Sequence, residues 1–255
     1  MPKVIITGAT SGIGLSLVKI FLKKNYEVIA IGRKKTKFIK GKIRFIKVDF
    51  KKKNSIKNFI NMIINIKNIK YIIFSHGIMN FNNICKKNKI YDSEIFFVNF
   101  YSIMYFMKNF LSRRKKIDTK FLFITSHAIS VKNKKYFFHS YNDWQIYKIS
   151  KYFLILLNFF LSNKFHELKI FSINPGRVST NLGKNNGFWS FLIKCYLSIF
   201  GKSKSVVASL IFNRLIIKKD LTVCNHRNLD YSRDNFNQKN IKKDLILINR
   251  IYRKL

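Results

Sequence analysis

Thr7-Gly8-Ala9-Thr10-Ser11-Gly12-Ile13-Gly14 is the stretch on which the fold turns. It directly follows residues 4–7, a short β-branched run that reads as a buried strand, and it opens residues 13–24, whose apolar positions recur at helical spacing. In that setting each glycine has a separate task. Gly8 permits the tight turn, Gly12 lets backbone approach a phosphate, and Gly14 lets the helix pack close to the strand. The helix N-terminus then offers free N–H groups and a partial positive charge. The spacing is G-x-x-x-G-x-G, not the commoner G-x-G-x-x-G. Gly8, Thr10, Ser11, Gly12, Ile13 and Gly14 are therefore read as a bed for a dinucleotide pyrophosphate. The bland alternative, a turn that binds nothing, is disfavoured by the strand–turn–helix context.

The second strand, residues 27–31, runs into Gly32-Arg33-Lys34-Lys35. An acid here would accept hydrogen bonds from a ribose 2′-hydroxyl, and none is present. A 2′-phosphate needs cations at this point, so NADP(H) is favoured over NAD(H), with Arg33 as its contact. In a chain this basic the missing acid is the better evidence. Asp49, after the third strand, either meets the adenine edge or caps the turn before Lys51.

Outward from this turn, strands and helices alternate. Strands are expected over 43–48, 71–75, 121–125 and 169–173, and helices over 55–66, 92–111 and 147–161. The implied fold class is α/β, a single-domain Rossmann fold: a doubly wound parallel sheet of roughly seven strands with helices on both faces. Residues 203–217 look helical, 221–223 offer a short last strand, and Ile241, Leu245 and Ile248 sit at the spacing of a closing helix. No linker divides the chain, so residues 1–255 read as one domain.

The chain carries 50 Lys+Arg against 11 Asp+Glu. Such a charge fits either an electrostatic footprint for nucleic acid or lipid, or a bias towards A/T-only codons, since Lys, Asn, Ile and Phe dominate throughout. The second origin is preferred, and no specific nucleic-acid partner is expected. Cys85, Cys195 and Cys224 are isolated, and no cysteine or histidine spacing suits a metal. This points to a reducing compartment such as the cytoplasm. The apolar stretches 152–161 and 188–200 are too short to span a bilayer, which needs about 20 residues.

Chemistry gathers further along. Tyr147 and Lys151 stand four apart on an expected helix and share a face. An ammonium there would lower the phenol pKa and let Tyr147 exchange a proton with a carbonyl or alcohol. In a chain with 12 Tyr this pair alone is weak. It does not stand alone. Thr125-Ser126 ends one strand, Asn174-Pro175-Gly176-Arg177-Val178-Ser179-Thr180 leaves another, and Asn99 lies within the long helix before them.

Taken in this order, residues 3–182 resemble the short-chain dehydrogenase/reductase family. The resemblance implies Tyr147 as acid/base and Lys151 as the group that lowers its pKa and holds the nicotinamide ribose. It implies Ser126 as the donor that fixes the substrate oxygen and Asn99 as anchor of a proton-relay water. Pro175, Gly176 and Val178 would border the nicotinamide, with Thr180 near the carboxamide or phosphates. Residues 183–202 fall where the family carries its substrate lid, leaving 203–255 as a C-terminal region. Phe188, Trp189, Phe191, Leu192, Tyr196, Leu197 and Phe200 in that lid suit an apolar pocket, contact with a membrane surface, or packing on the sheet. The implied reaction is hydride transfer between NADP(H) and a carbonyl or alcohol carbon of an apolar small molecule. A homo-oligomer is implied through the helices of Asn99 and Tyr147.

Three departures stand out. The family's N-N-A-G after the fourth strand is replaced by Phe74-Ser75-His76-Gly77, leaving only Gly77 to support the cofactor. Ser126 precedes Tyr147 by 21 residues, and the insertion at 132–139 resembles retinol-dehydrogenase-like members. A glycine-bearing last strand is hard to place near 221–223. A second reading, a non-catalytic nucleotide-binding or RNA-contacting scaffold, draws on the charge and the lost N-N-A-G. His127 reads as a site-tuning or a structural residue, and Ser130 stands in reserve for Ser126.

Overall fold

The structure is a computed structural model and describes residues 1–36, 41–79, 88–114, 117–126, 140–179, 201–217 and 238–255. Its strands are β1 (Lys3–Thr7), β2 (Glu27–Gly32), β3 (Ile43–Lys47), β4 (Ile69–Phe74), β5 (Asn88–Lys89), β6 (Lys120–Ile124), β7 (Ser140–Tyr141) and β8 (Lys169–Ile173). Its helices are α1 (Gly12–Lys23), α2 (Lys53–Ile63), α3 (94–113), α4 (Asp143–Lys164), α5 (Lys204–Ile217) and α6 (Gln238–Lys254). Within α3 the turn Phe97–Tyr101 is widened to a π-helix.

Six strands form one parallel sheet in the order β3-β2-β1-β4-β6-β8. β5 and β7 pair separately and antiparallel. The α/β expectation is met, with six strands in the described sheet. The strand expected at 221–223, residues 183–200 of the expected lid, the insertion at 132–139, Thr180, His127, Ser130 and the three cysteines lie outside the described residues.

The period-two alternation of each strand builds the two faces. Ile5, Ile29, Ile31, Ile72, Phe74, Phe121 and Phe123 point to the side covered by α2, α3, α4 and α6. Val4, Ile6, Val28, Ala30, Ile73, Leu122, Ile124 and Ile173 point to the side covered by α1 and α5. On the first side Phe106 lies 5.4 Å from Phe59 and 5.2 Å from Phe74, and Phe74 lies 5.6 Å from Phe123. Burying each of these rings contributes about 1.5–3 kcal/mol. Together they seat α3, and hence Asn99, firmly against the sheet.

The chain leaves β1 towards β2 and β3 on one side, then returns to β4 on the other. The loops after β1 and β4 therefore diverge. They open the crevice where open α/β sheets bind ligands, beyond the carboxyl ends of the strands.

Candidate active site

Gly8 takes φ +64° and Gly12 φ +55°, a left-handed backbone that suits glycine at both. Space is as strict as conformation. A Cβ on Gly8 would lie 2.8 Å from the His76 Cα, and one on Gly14 would lie 2.2 Å from the Gly8 carbonyl oxygen. Gly14 thus packs α1 onto the turn itself. Ser11 precedes α1 in extended conformation and its side chain caps no backbone N–H. The first N–H groups of α1 face the turn without a side-chain cap from their own N-cap, as an anion site requires.

At the end of β2, a Cβ on Gly32 would meet the Thr10 methyl at 2.6 Å. No acid stands there. Arg33 follows, exposed. Asp49 Oδ1 accepts the Lys51 N–H at 3.1 Å, and the Asp49 N–H donates to Ser55 Oγ at 2.9 Å, so it forms the turn-capping arrangement.

Tyr147 and Lys151 lie on α4, which starts one turn earlier than the sequence suggested. Asn142 and Gln145 cap each other's backbone N–H reciprocally. That N-x-x-Q box was legible and sets the start at Asp143. Tyr147 is therefore in the second turn. Lys151 Nζ lies 5.8 Å from the Tyr147 ring centroid and donates to the Ile124 carbonyl at 3.0 Å. Ser126, two residues further along the same strand end, hydrogen-bonds the Tyr147 side chain. The structure thus brings Tyr147, Lys151 and Ser126 together.

Their electrostatics differ from the sequence expectation in one respect. Burial pushes the Tyr147 phenol above its usual value of 10, and the Ser126 hydrogen bond opposes that rise. Lys151 was expected to lower it, but Lys151 is itself so buried that its pKa falls to about 8. Desolvation penalises a charged form wherever it is not offset by a close counter-charge, and neither partner here is an acid.

Asn99 sits in the wide turn of α3, fully buried. Its Oδ1 accepts the Ile78 N–H at 2.7 Å, and its Nδ2 donates to the Ile78 carbonyl at 2.9 Å and to Ser150 Oγ at 3.3 Å. Ser150 Oγ in turn donates to the Tyr147 carbonyl at 2.7 Å. The Asn99 side chain is a clamp on the loop after β4, which the sequence did not reveal. A Cβ on Gly77 would lie 3.3 Å from Asn99 Oδ1 and 3.5 Å from Lys151 Nζ, so Gly77 runs between them. Gly176 (φ +75°) is held by its N–H donating to Asn174 Oδ1 at 2.9 Å, and Val178 is buried.

Sequence reading also passed over His76 as more than a departure. It is buried, lies flat on Phe50 at 3.7 Å, and reaches both Thr7 and Ser102. Among the described residues no group of His, Cys, Asp or Glu is placed to hold a metal, and no helix is long and apolar enough to cross a membrane.

Solved structures share this arrangement of elements. A short-chain dehydrogenase family protein from Francisella tularensis subsp. tularensis SCHU S4 is 22% identical, with TM-score 0.65, covering 86% of this chain and 92% of its own. An alcohol dehydrogenase from the archaeon Thermococcus sibiricus, complexed with 5-hydroxy-NADP, is 18% identical (TM-score 0.65; 87% and 93% covered). A serine dehydrogenase complexed with NADP+ is 16% identical (TM-score 0.69; 91% and 99% covered). These likenesses concern the fold. Among curated proteins none matches the chain in sequence. A family model described as short chain dehydrogenase matches residues 2–189, well over half the chain. With the sheet, the glycine turn and the Tyr147–Ser126–Lys151 grouping in place, the chain belongs to the short-chain dehydrogenase family of oxidoreductases, which act on the CH–OH/C=O couple.

Proposed function

We propose that this protein is an NADP(H)-dependent oxidoreductase that interconverts a carbonyl and an alcohol on an apolar small molecule. The observation that carries the reading is the meeting of Tyr147, Ser126 and Lys151 at the carboxyl edge of the sheet. The residues fit a dinucleotide. Gly8 and Gly14 leave no room for side chains, the α1 N-terminus carries no Ser11 side-chain cap, and Gly32 places no acid beside Thr10. Gly8, Thr10, Ser11, Gly12, Ile13 and Gly14 would hold the pyrophosphate, Arg33 the 2′-phosphate, and Lys151 the nicotinamide ribose. Gly77, Pro175, Gly176 and Val178 would border the rest. Asp49 keeps its turn and would meet adenine only at its edge. When bound, the nicotinamide supplies or accepts the hydride.

The chain's own groups do the remainder. Ser126 donates to the substrate oxygen and fixes it beside Tyr147. In reduction the Tyr147 hydroxyl gives its proton to that oxygen; in oxidation the phenolate takes it back. The Lys151 ammonium stabilises the phenolate by proximity, most effectively below its own pKa of about 8. The Asn99 side chain is spent on Ile78 and Ser150. Its share in a proton relay would therefore fall to its backbone carbonyl.

An apolar substrate is supported by the aromatic composition of 183–202, proposed as the lid of a single-domain chain, and by exposed Val206 and Leu210 where α5 begins. A homo-oligomer through α3 and α4, peripheral membrane contact and a cytoplasmic setting remain parts of this proposal. The non-catalytic scaffold is not favoured.

Fluorescence titration tests the cofactor half. NADPH should bind more tightly than NADH, and Arg33→Ala should lose about tenfold of that preference, the worth of one charge-assisted contact. Equal binding of both cofactors by the wild-type chain would contradict the choice of NADP(H).

A further inference from the structure

The turn after β4 carries an imidazole where the family resemblance expects a small residue, and its surroundings fix what that ring does. Thr7 Oγ1 lies 2.7 Å from His76 Nδ1, and Ser102 Oγ lies 3.1 Å from Nε2. Ser102 has one hydroxyl proton, which it donates to the Val98 carbonyl at 2.7 Å. Ser102 Oγ must therefore accept from Nε2. The Val98 carbonyl also faces the ring, and it only accepts. The Ser102 contact therefore requires the proton on Nε2. Nδ1 is then an acceptor and takes the Thr7 hydroxyl proton, whose alternative, the Ile73 carbonyl, is further away at 3.3 Å. Thr7 Oγ1 itself accepts the Ser75 N–H at 3.1 Å and the His76 N–H at 3.4 Å. Every polar atom of the ring is thus used once, in one direction.

The ring carries no charge in this setting. Burial, followed by the neighbouring Lys151 ammonium, brings its pKa down to about 3. It is a fixed neutral strut, stacked on Phe50, and not a switch. Its two ends are informative. Thr7 is the first residue of the glycine turn. Ser102 closes the wide turn of α3 that holds Asn99, and its bond to Val98 is a back-bond made across that widened turn. The connection continues through Asn99 to Ser150 and the Tyr147 carbonyl.

We propose that His76 is a positioning residue: by bridging Thr7 and Ser102 it locks the glycine turn to the wide turn of α3, and so holds the cofactor bed in register with the catalytic helix. This role rests on the reading of the glycine turn as a dinucleotide site.

The test uses the full-length chain and NADPH, followed by fluorescence titration. His76→Phe keeps a flat ring against Phe50 but removes both hydrogen bonds. It should weaken NADPH binding about tenfold, as loss of the paired bonds implies. His76→Gln, which can still bond at one end, should recover part of that loss. Thr7→Val should weaken binding similarly, and adding it to His76→Phe should cost little more, because one bridge has already been cut. A wild-type measurement covers the case of variants that fail to fold. With 15N-labelled histidine, His76 should show the neutral Nε2–H form throughout pH 5 to 8. Unchanged NADPH affinity in folded His76→Phe, strictly additive losses in the double variant, or an Nδ1–H or charged ring would each overturn the role. A wild-type chain that binds neither NADPH nor NADH would overturn the functional reading itself, and this role with it. Binding by wild type that is indifferent to His76 would overturn this role alone.

Discussion

The turn after β1 and the turn after β4 face each other across one crevice, and they keep their shapes by opposite means. The first works by absence. Gly8 and Gly14 bring backbone to within distances at which a Cβ would overlap the His76 backbone or the Gly8 carbonyl. The second works by a filled position. His76 spends both ring nitrogens and a ring face on Thr7, Ser102 and Phe50, while Asn99 holds the Ile78 backbone just beyond. Steric absence is local and is written in the spelling of the turn. A bridging side chain depends on partners far away in sequence, here 26 and 69 residues. One crevice can thus combine a motif that sequence displays with a support that only the fold reveals.

The largest effect should come from filling the empty side. Gly14→Val would drive its side chain into the Gly8 carbonyl, costing about 3 kcal/mol, the upper end for overpacking. Urea unfolding would show it, together with loss of NADPH binding. A stable variant that still binds would break the idea that absence shapes this turn. Next comes the clamp on the opposite side. Asn99→Ala leaves the Ile78 N–H and carbonyl without the amide they now use, for about 2 kcal/mol in the same assay. No change in midpoint would mean that the second turn holds itself without α3. The smallest effect is a shift of pH and not of stability. The Ser126 hydrogen bond favours the charged form of Tyr147, so Ser126→Ala leaves burial unopposed and moves deprotonation to higher pH. The acid limb of alcohol oxidation, which rises as the phenolate forms, should move to higher pH, and carbonyl reduction should persist to higher pH. A shift in the acid direction would reverse the assignment of donor and acceptor.

Legibility followed the same division. The strands of the sheet fall within two residues of the sequence expectation, because alternation of Val, Ile and Phe is a one-dimensional signal. α4 starts one turn before the apolar run that marks it in sequence, because its first turn is fixed by the polar Asn142–Gln145 box and not by apolar periodicity. Tyr147, Lys151 and Ser126 were identified by order and spacing, and they do converge. Their electrostatics were not legible: the number of neighbours that bury Tyr147 and Lys151 comes from α3, α4 and the sheet together, and burial reverses the expected sign at Tyr147. Asn99 was legible as a residue of the long helix, but the bonds its side chain makes to Ile78 and Ser150 were not, because those partners come from two other elements. The widened turn that presents it has no sequence signature in Phe97-Val98-Asn99-Phe100-Tyr101. His76 read as a loss because its partners Thr7 and Ser102 carry common hydroxyls that mean nothing until they face a ring.

The central claim is that the crevice carries out proton-coupled hydride transfer with Tyr147 as the proton donor and acceptor. Tyr147→Phe tests it most directly, since the ring and its packing stay and only the hydroxyl goes. NADPH consumption is to be followed with a panel of apolar aldehydes and ketones, alongside NADPH titration of the same variant. The account predicts wild-type turnover, NADPH affinity within a factor of about three in the variant, and turnover reduced by about a hundredfold or more, the range for losing a general acid. Turnover that survives Tyr147→Phe with the cofactor still bound would contradict it.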